Sequence, residues 1–220
     1  MSEQTWQWDI VREALPILAD SLFLTVGITA VGMLLALVFG IMLSVMEFSR
    51  SRLLANAALF FKSVVCSTPL LLHLFILFYA LPPYGIRLTA FATGSLTFMI
   101  YYGSFVSNTF SASVRSIPRP ILESCAVLGM SPAHAWRSII LPLATRASVA
   151  PFLNYCVMCF KETGILVVLG LPILLGRAAQ FGNVHFRYLE VYTLTALFYL
   201  ACTLPFIFLF RRLERRHVFE

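Results

Sequence analysis

The stretch SIPRPILESCAVLGMSPAHAWRSIILP, from Ser116 to Pro142, mixes polar and apolar residues in a chain otherwise built of apolar blocks. Pro118 and Pro120 suit the entry or first turn of a helix, where a missing N–H costs little, and Glu123 then falls near the positive helix end. Gly129 suits a left-handed helix exit. Ser131 followed by Pro132 is an N-cap with proline at N1, so a second short helix is expected to begin there. Pro142 is expected to limit how that helix continues. Two short helices folded about Gly129, with Leu122, Cys125, Ala126 and Leu128 on an apolar side, would make a compact knob shaped for a groove in another protein. The alternative, from the pattern alone, is a helix lying on a membrane surface.

Composition sets the surroundings of this knob. With 60% hydrophobic and 12% charged residues over 220 positions, the chain has more apolar area than the interior of a soluble domain takes up, so it belongs in a bilayer. The net charge of +6 would suggest nucleic acid in a soluble protein. Here the arginines lie between apolar blocks, the pattern of topology signals, and no nucleic-acid partner is expected. The five cysteines sit in or beside apolar stretches and read as small buried hydrophobes.

Outward from the knob, uncharged gaps long enough to cross roughly 30 Å of hydrocarbon at about 1.5 Å per residue mark the spans. The expected architecture is all-α and membrane-integral, one transmembrane domain over residues 1–220. Its five spans lie near 18–46, 54–82, 88–114, 143–172 and 190–210, with the knob at 116–142. Gly27, Gly32 and Gly40 suit close helix packing in the first span. Pro69 should kink or break the second, which Pro82, Pro83 and Gly85 close with a turn. Residues 1–20 have no basic segment and no small-residue cleavage pattern, so no removed signal peptide is expected. Trp6 and Trp8 are either headgroup anchors or part of a polar tail.

Basic residues cluster in alternate connections. Arg50 and Arg52 share one, Arg115, Arg119, Arg137 and Arg146 another, and Arg211, Arg212, Arg215 and Arg216 follow the last span. Only Arg12, Arg87, Arg177 and Arg187 fall on the other side. The richer side is expected to be cytoplasmic, which puts the N-terminus outside and both the knob and the C-terminus inside.

Sites for chemistry are few. Lys62-Ser63 follows Phe60-Phe61 and not a glycine pattern, so the chain is not expected to hydrolyse ATP. Cys156 and Cys159 have redox or metal spacing but no second pair or neighbouring histidine, and are expected to be a structural pair. His73 is either a cavity residue or a satisfied core histidine, and His134 is expected to be solvated. Lys161 and Glu162 stand out, because ionisable groups at bilayer depth need a cavity or a partner. Adjacent helical residues point about 100° apart, so one of the two is expected to face a path or a partner subunit. The alternative is a span broken near Gly164, Gly170 and Pro172. From these residues alone, an ion-coupled secondary transporter titrating Lys161 or Glu162 is a second reading, and a membrane redox protein a weaker third.

The knob with Glu123, Gly129 and Ile140-Leu141-Pro142 resembles the cytoplasmic coupling loop of binding-protein-dependent ATP-binding-cassette importer permeases. More narrowly, several segments resemble the polar amino acid uptake permeases of the histidine and glutamine type: Ser116-Ile117-Pro118, Leu128-Gly129-Met130-Ser131, Trp136-Arg137, Arg146, Asn154 and Lys161-Glu162-Thr163. Thr68-Pro69-Leu70-Leu71 with Phe75 and Tyr79 fits the second helix of that subfamily.

The resemblance implies a permease subunit of the type I importer fold, in the inner membrane, that moves an amino acid or related small polar solute. It implies a second permease subunit, two cytoplasmic ATPase subunits and a periplasmic solute-binding protein. ATP and Mg²⁺ would be used by the ATPase partners, with no cofactor on this chain. It makes Glu123, Ser124, Cys125, Gly129, Ile140, Leu141 and Pro142 the ATPase-coupling residues. Thr68, Pro69, His73, Asn108, Asn154, Lys161, Glu162 and Thr163 become candidates for the translocation path, and the acidic Glu162 tilts the expected solute toward basic amino acids or their derivatives.

The chain departs from the family pattern at several positions. Glu-Ala-Ala is Glu123-Ser124-Cys125, and Lys-Gly-Gln is Arg119-Pro120-Ile121. Arg-Gly before Thr-Pro is Cys66-Ser67, and the Glu and Arg near the end of the third helix are Asn108 and Ser111. Losing these charges makes pairing with a different permease chain that retains them the expected arrangement.

Overall fold

Small residues decide how close the helices can approach, and they concentrate on one helix. In the computed structural model, which describes residues 6–217 with side chains through residue 208, that helix is the centre of an all-helical bundle. Chain order gives α1 (Trp8–Glu47), α2 (Arg52–Cys66), α3 (Leu70–Phe75), α4 (Ala90–Arg115), α5 (Arg119–Val127), α6 (Pro132–Ala135), α7 (Leu141–Glu162), α8 (Leu174–His185) and α9 (Tyr188–His217). The described residues contain no strand. The side chains of Arg211, Arg212, Arg215 and Arg216, used above as topology signals, lie outside the described residues.

Three helical stretches are long and apolar enough to cross a membrane: Trp8–Glu47, Pro132–Leu169 and Tyr188–Phe208. A fourth is the broken pair Arg52–Cys66 and Leu70–Tyr84, bent by 106°. Pro69, extended at ψ 141° as the N-cap of α3, sits at that break, a sharper change of direction than a kink. The expected third span is α4, which falls short of that apolarity; it has 26 residues and starts behind a Thr89 cap that accepts from the Ala92 N–H at 3.2 Å. It is less apolar because it is interior. Thr93, Gly94, Ser95, Thr97, Gly103, Ser104, Ser107 and Ser111 are buried on it. Hydroxyls of Thr93, Thr97 and Ser104 donate to carbonyls four residues earlier, which removes most of the cost of burying them.

α1 lies against α4 through glycines. A Cβ on Gly40 would come within 2.7 Å of the Gly103 carbonyl oxygen and 2.8 Å of Val106 Cγ1. One on Gly32 would meet Phe98 Cβ at 2.8 Å. Gly27, expected to do the same work, has nothing within 4 Å and faces open space. Gly40→Ala is therefore expected to push α1 off α4 at a cost of about 1–3 kcal/mol. Gly27→Ala should cost nothing. Thermal unfolding of the purified variants in detergent checks this contrast, and equal midpoints would contradict it.

Two expectations about the second half need correction. The boundary expected between the knob at Pro142 and the span from residue 143 is absent: Pro142 limits the helix that begins at Pro132 without ending it. A π-helical turn over Trp136–Ile140 joins α6 to α7, with Pro142 in the first turn of α7. The proline ring would clash with the Ser138 carbonyl of a regular α-helix, and the widened turn contains that residue. The fourth span is also not one helix to residue 172. α7 ends at Glu162 and continues as a 3₁₀ segment, Thr163–Leu169, which closes on Gly170 at φ +73°. The following connection then folds as α8, which was not anticipated. Its first turn is fixed by the Leu174 N–H donating to Thr25 Oγ1 of α1 at 2.9 Å.

Candidate translocation path and coupling site

The knob forms by the local chemistry of its prolines, serine and glycine. Pro118 is the N-cap of α5 and Pro120 lies in its first turn. Gly129 is left-handed at φ +66°, where the Met130 N–H returns to the Cys125 carbonyl at 3.0 Å, and the Ser131 hydroxyl caps α6 by accepting from the His134 N–H at 3.3 Å. The apolar side is divided. Cys125 is buried beneath the knob, whereas Leu122, Val127 and Leu128 are exposed, the last two at 87% and 77%. Glu123, Ser124 and Gly129 are exposed as a docking surface requires, and His134 is exposed as expected. Cys125 and Ile140, included among the coupling residues, are buried, and Ile140, Leu141 and Pro142 belong to the continuous helix and not to the loop.

Above the knob lies an ionic cluster that was not expected from the sequence. Glu47, at the end of α1, accepts from Lys62 of α2, from the Ser111 hydroxyl at 2.6 Å and from Arg115 at 2.6 Å, both on α4. The Glu47 and Lys62 side chains are 4% and 3% exposed, and Arg115 is 65% exposed. Ser111, noted above as lacking the family's charge, thus takes its polarity from Glu47. The available signal was a lone charge in a mainly apolar stretch at both Glu47, between Met46 and Phe48, and Lys62, after Phe60-Phe61, since such a charge needs a partner.

The path candidates fall into three groups. At the break between α2 and α3, Thr68 Oγ1 lies 3.0 Å from His73 Nε2, and His73 Nδ1 lies 3.0 Å from the Pro69 carbonyl oxygen. Asn108 of α4 joins this region by donating to Cys66 Sγ at 3.4 Å. The His73 ring meets Tyr101 edge-on at 5.9 Å, and contacts through Phe105 carry the aromatic run across α4 to Tyr155 of α7. On α7, Asn154, Met158 and Lys161 are exposed at i, i+4 and i+7, one open stripe. Glu162 and Thr163 turn inward. Buried Tyr102 donates to Glu162 Oε2 at 2.5 Å, and the Thr163 hydroxyl donates to the Phe160 carbonyl at 2.7 Å. Lys161 and Glu162 thus serve different faces, as helix geometry requires.

All five cysteines carry free thiols, Cys159 buried and Cys156 partly so. No group of three or more His, Cys, Asp or Glu able to hold a metal occurs among the described residues. A cavity of about 750 Å³ lies between α1, α4 and α7, and none of the path candidates lines it.

A central polar helix, a broken second span and an exposed knob joining two spans define a helical membrane protein. Residues 32–218 match the family of binding-protein-dependent transport system inner membrane components, and the chain belongs to that family. It is a permease component and not itself the catalytic subunit. It is 30% identical over 213 residues to the glutamine transport system permease protein GlnP of Escherichia coli K12, covering 96% of this chain and 97% of that one. It is 27% identical to the L-cystine transport system permease protein TcyB of Bacillus subtilis, covering 80% and 75%. A crystal structure of an amino acid ABC transporter with histidines superposes with a TM-score of 0.92 at 26% identity, covering 97% of this chain and all of that one. The inward-facing MetNI methionine transporter, at 16% identity and a TM-score of 0.75, shares the fold.

Proposed function

We propose that this chain forms, with a second permease subunit, the path of an ATP-driven importer for an amino acid or related small polar solute. The observation that carries this reading is the knob: α5 and α6, turned about a left-handed Gly129, stand exposed between α4 and the continuous helix running into α7. A push on the knob therefore reaches two spans directly as rigid levers. Two cytoplasmic ATPase subunits would supply that push, with ATP and Mg²⁺ bound on them, and a periplasmic binding protein would deliver solute. The knob and C-terminus face the cytoplasm and the N-terminus faces the periplasm in this reading, in line with the arginine distribution.

The glutamine, cystine and arginine systems among the similar permeases support an amino-acid solute. Pairing with a different permease chain is favoured. Asn108 and Ser111 find partners inside this chain, in Cys66 and Glu47, and present no charge of their own. Co-purification of differently tagged subunits tests it, and active complexes containing this permease alone would refute the heterodimer.

Thr68, Pro69, His73 and Asn108 are assigned to the wall beside the broken second span. Asn154 and Lys161 are assigned to the open stripe of α7, and Glu162 and Thr163 to its inner face. Glu162 is the acidic group deep in a span, and Tyr102 occupies one of its acceptor sites. For Glu162→Gln, vesicle uptake of a cationic solute is expected to fall more than uptake of a neutral one that the same binding protein accepts. An equal fall would make Glu162 a gating residue, and no fall would remove it from the path.

A further inference from the structure

The cavity between α1, α4 and α7 takes no part in solute transfer as described above. Its wall follows α1 from Leu37 to Phe48. The eleven steps between these residues at about 1.5 Å each give about 16 Å, half of a hydrocarbon core roughly 30 Å thick. The cavity thus has the depth of one leaflet, on the side of the knob. Its lining is mostly aliphatic and aromatic, with buried Val106 and half-buried Phe152 at its base and exposed Ile41 and Val149 at its open side.

Its polar groups are largely used within the chain. Ser44 and Ser148 donate to backbone carbonyls at 2.9 and 2.7 Å, and the Thr109 and Tyr155 hydroxyls bond each other at 2.8 Å. A polar solute entering here would give up water with little in return. At the knob end Phe48 and Trp136 meet edge-to-face at 5.3 Å. Arg50 and Arg137 follow them within two residues. Both are exposed, and neither forms an ion pair among the described residues. Apolar depth, with two exposed arginines free of such pairs one and two residues beyond the aromatic pair at its end, is complementary to one lipid class.

We propose that this cavity is a binding site for one acyl chain of an anionic phospholipid from the leaflet on the knob side, its phosphate drawn to Arg50 and Arg137. Such a lipid would wedge α1 against α4 and α7 next to the element that moves during transport.

The test uses the assembled importer in nanodiscs of phosphatidylethanolamine. These contain a small fraction of either phosphatidylglycerol or phosphatidylcholine with a photoreactive diazirine on one acyl chain, and adducts are mapped by mass spectrometry. Labelling is expected to concentrate on Ile41, Val149 and Phe152, several-fold stronger for phosphatidylglycerol. Val149→Trp should fill the cavity and remove these adducts. Arg50→Gln with Arg137→Gln, both surface changes, should bring phosphatidylglycerol labelling down to the phosphatidylcholine level. Labelling of these residues no stronger than at the exposed Phe23 and Leu34, or equal labelling by both lipids in the unmodified protein, would overturn the site. So would occupation of the cavity by side chains of the second permease subunit.

Discussion

Replacing Lys62 with methionine is expected to destabilise the bundle by about 3–5 kcal/mol, because it leaves the Glu47 carboxylate buried without its buried partner. Arg115 remains within 2.6 Å of that carboxylate, but it is largely exposed and cannot restore the lost pair. Arg115→Gln is accordingly expected to cost under about 1 kcal/mol. Changing Glu47 and Lys62 together to leucine should recover most of the loss, since a buried ion pair replaced by apolar side chains is often neutral or better. Unfolding midpoints of the single and double variants in detergent measure the coupling directly, and additive losses would show that the two groups do not act as a pair. The cluster ties the ends of α1 and α4 to α2 just before the chain enters the knob, so the variants should also lower transport coupling.

Gly129→Asp is expected to reduce stimulation of the ATPase by loaded binding protein while leaving the spans inserted. On the proposed docking of the knob against an ATPase subunit, a carboxylate left unpaired in that contact costs about 2–5 kcal/mol, enough for a tenfold or larger loss of productive contact, at roughly 1.4 kcal/mol per decade. A Cβ added to Gly129 would meet nothing within 4 Å inside this chain, but at φ +66° any side chain strains the turn, so the defect combines a local backbone cost with the charge placed on the docking face. Gly129→Asn separates the two contributions. Asparagine tolerates the left-handed conformation and has the same shape without the charge, so its defect should be much milder. Equal stimulation in wild type and Gly129→Asp would remove the knob from coupling.

What could be read ahead of the structure was what local chemistry determines. Pro118, Pro120, Gly129, Ser131 and Pro132 each act through their own backbone or the next turn, and the short helices formed where those residues indicate. Pro69 broke the second span for the same reason. Contacts between distant residues were not legible. Glu47 and Lys62 are 15 positions apart and meet only because the connection after α1 folds α2 back, and Tyr102 reaches Glu162 across 60 positions. The helix through Pro142 was missed because a proline reads as a stop unless a π turn relieves the clash, and nothing in Trp136–Ile140 announces one. Gly27 and Gly40 look alike in sequence, yet only Gly40 faces α4. For the path, the residues themselves were visible but their sorting was not. Asn154 and Lys161 lie on an open stripe of α7 while Glu162 and Thr163 face inward.

The most direct test is solute uptake into vesicles reconstituted with this chain and the proposed second permease and ATPase subunits. Binding protein and a labelled amino acid are supplied on the binding-protein side, and ATP on the side the knob faces. Accumulation is expected to require both ATP and binding protein and to survive collapse of ion gradients. Uptake driven by an ion gradient without ATP or binding protein would contradict the importer mechanism.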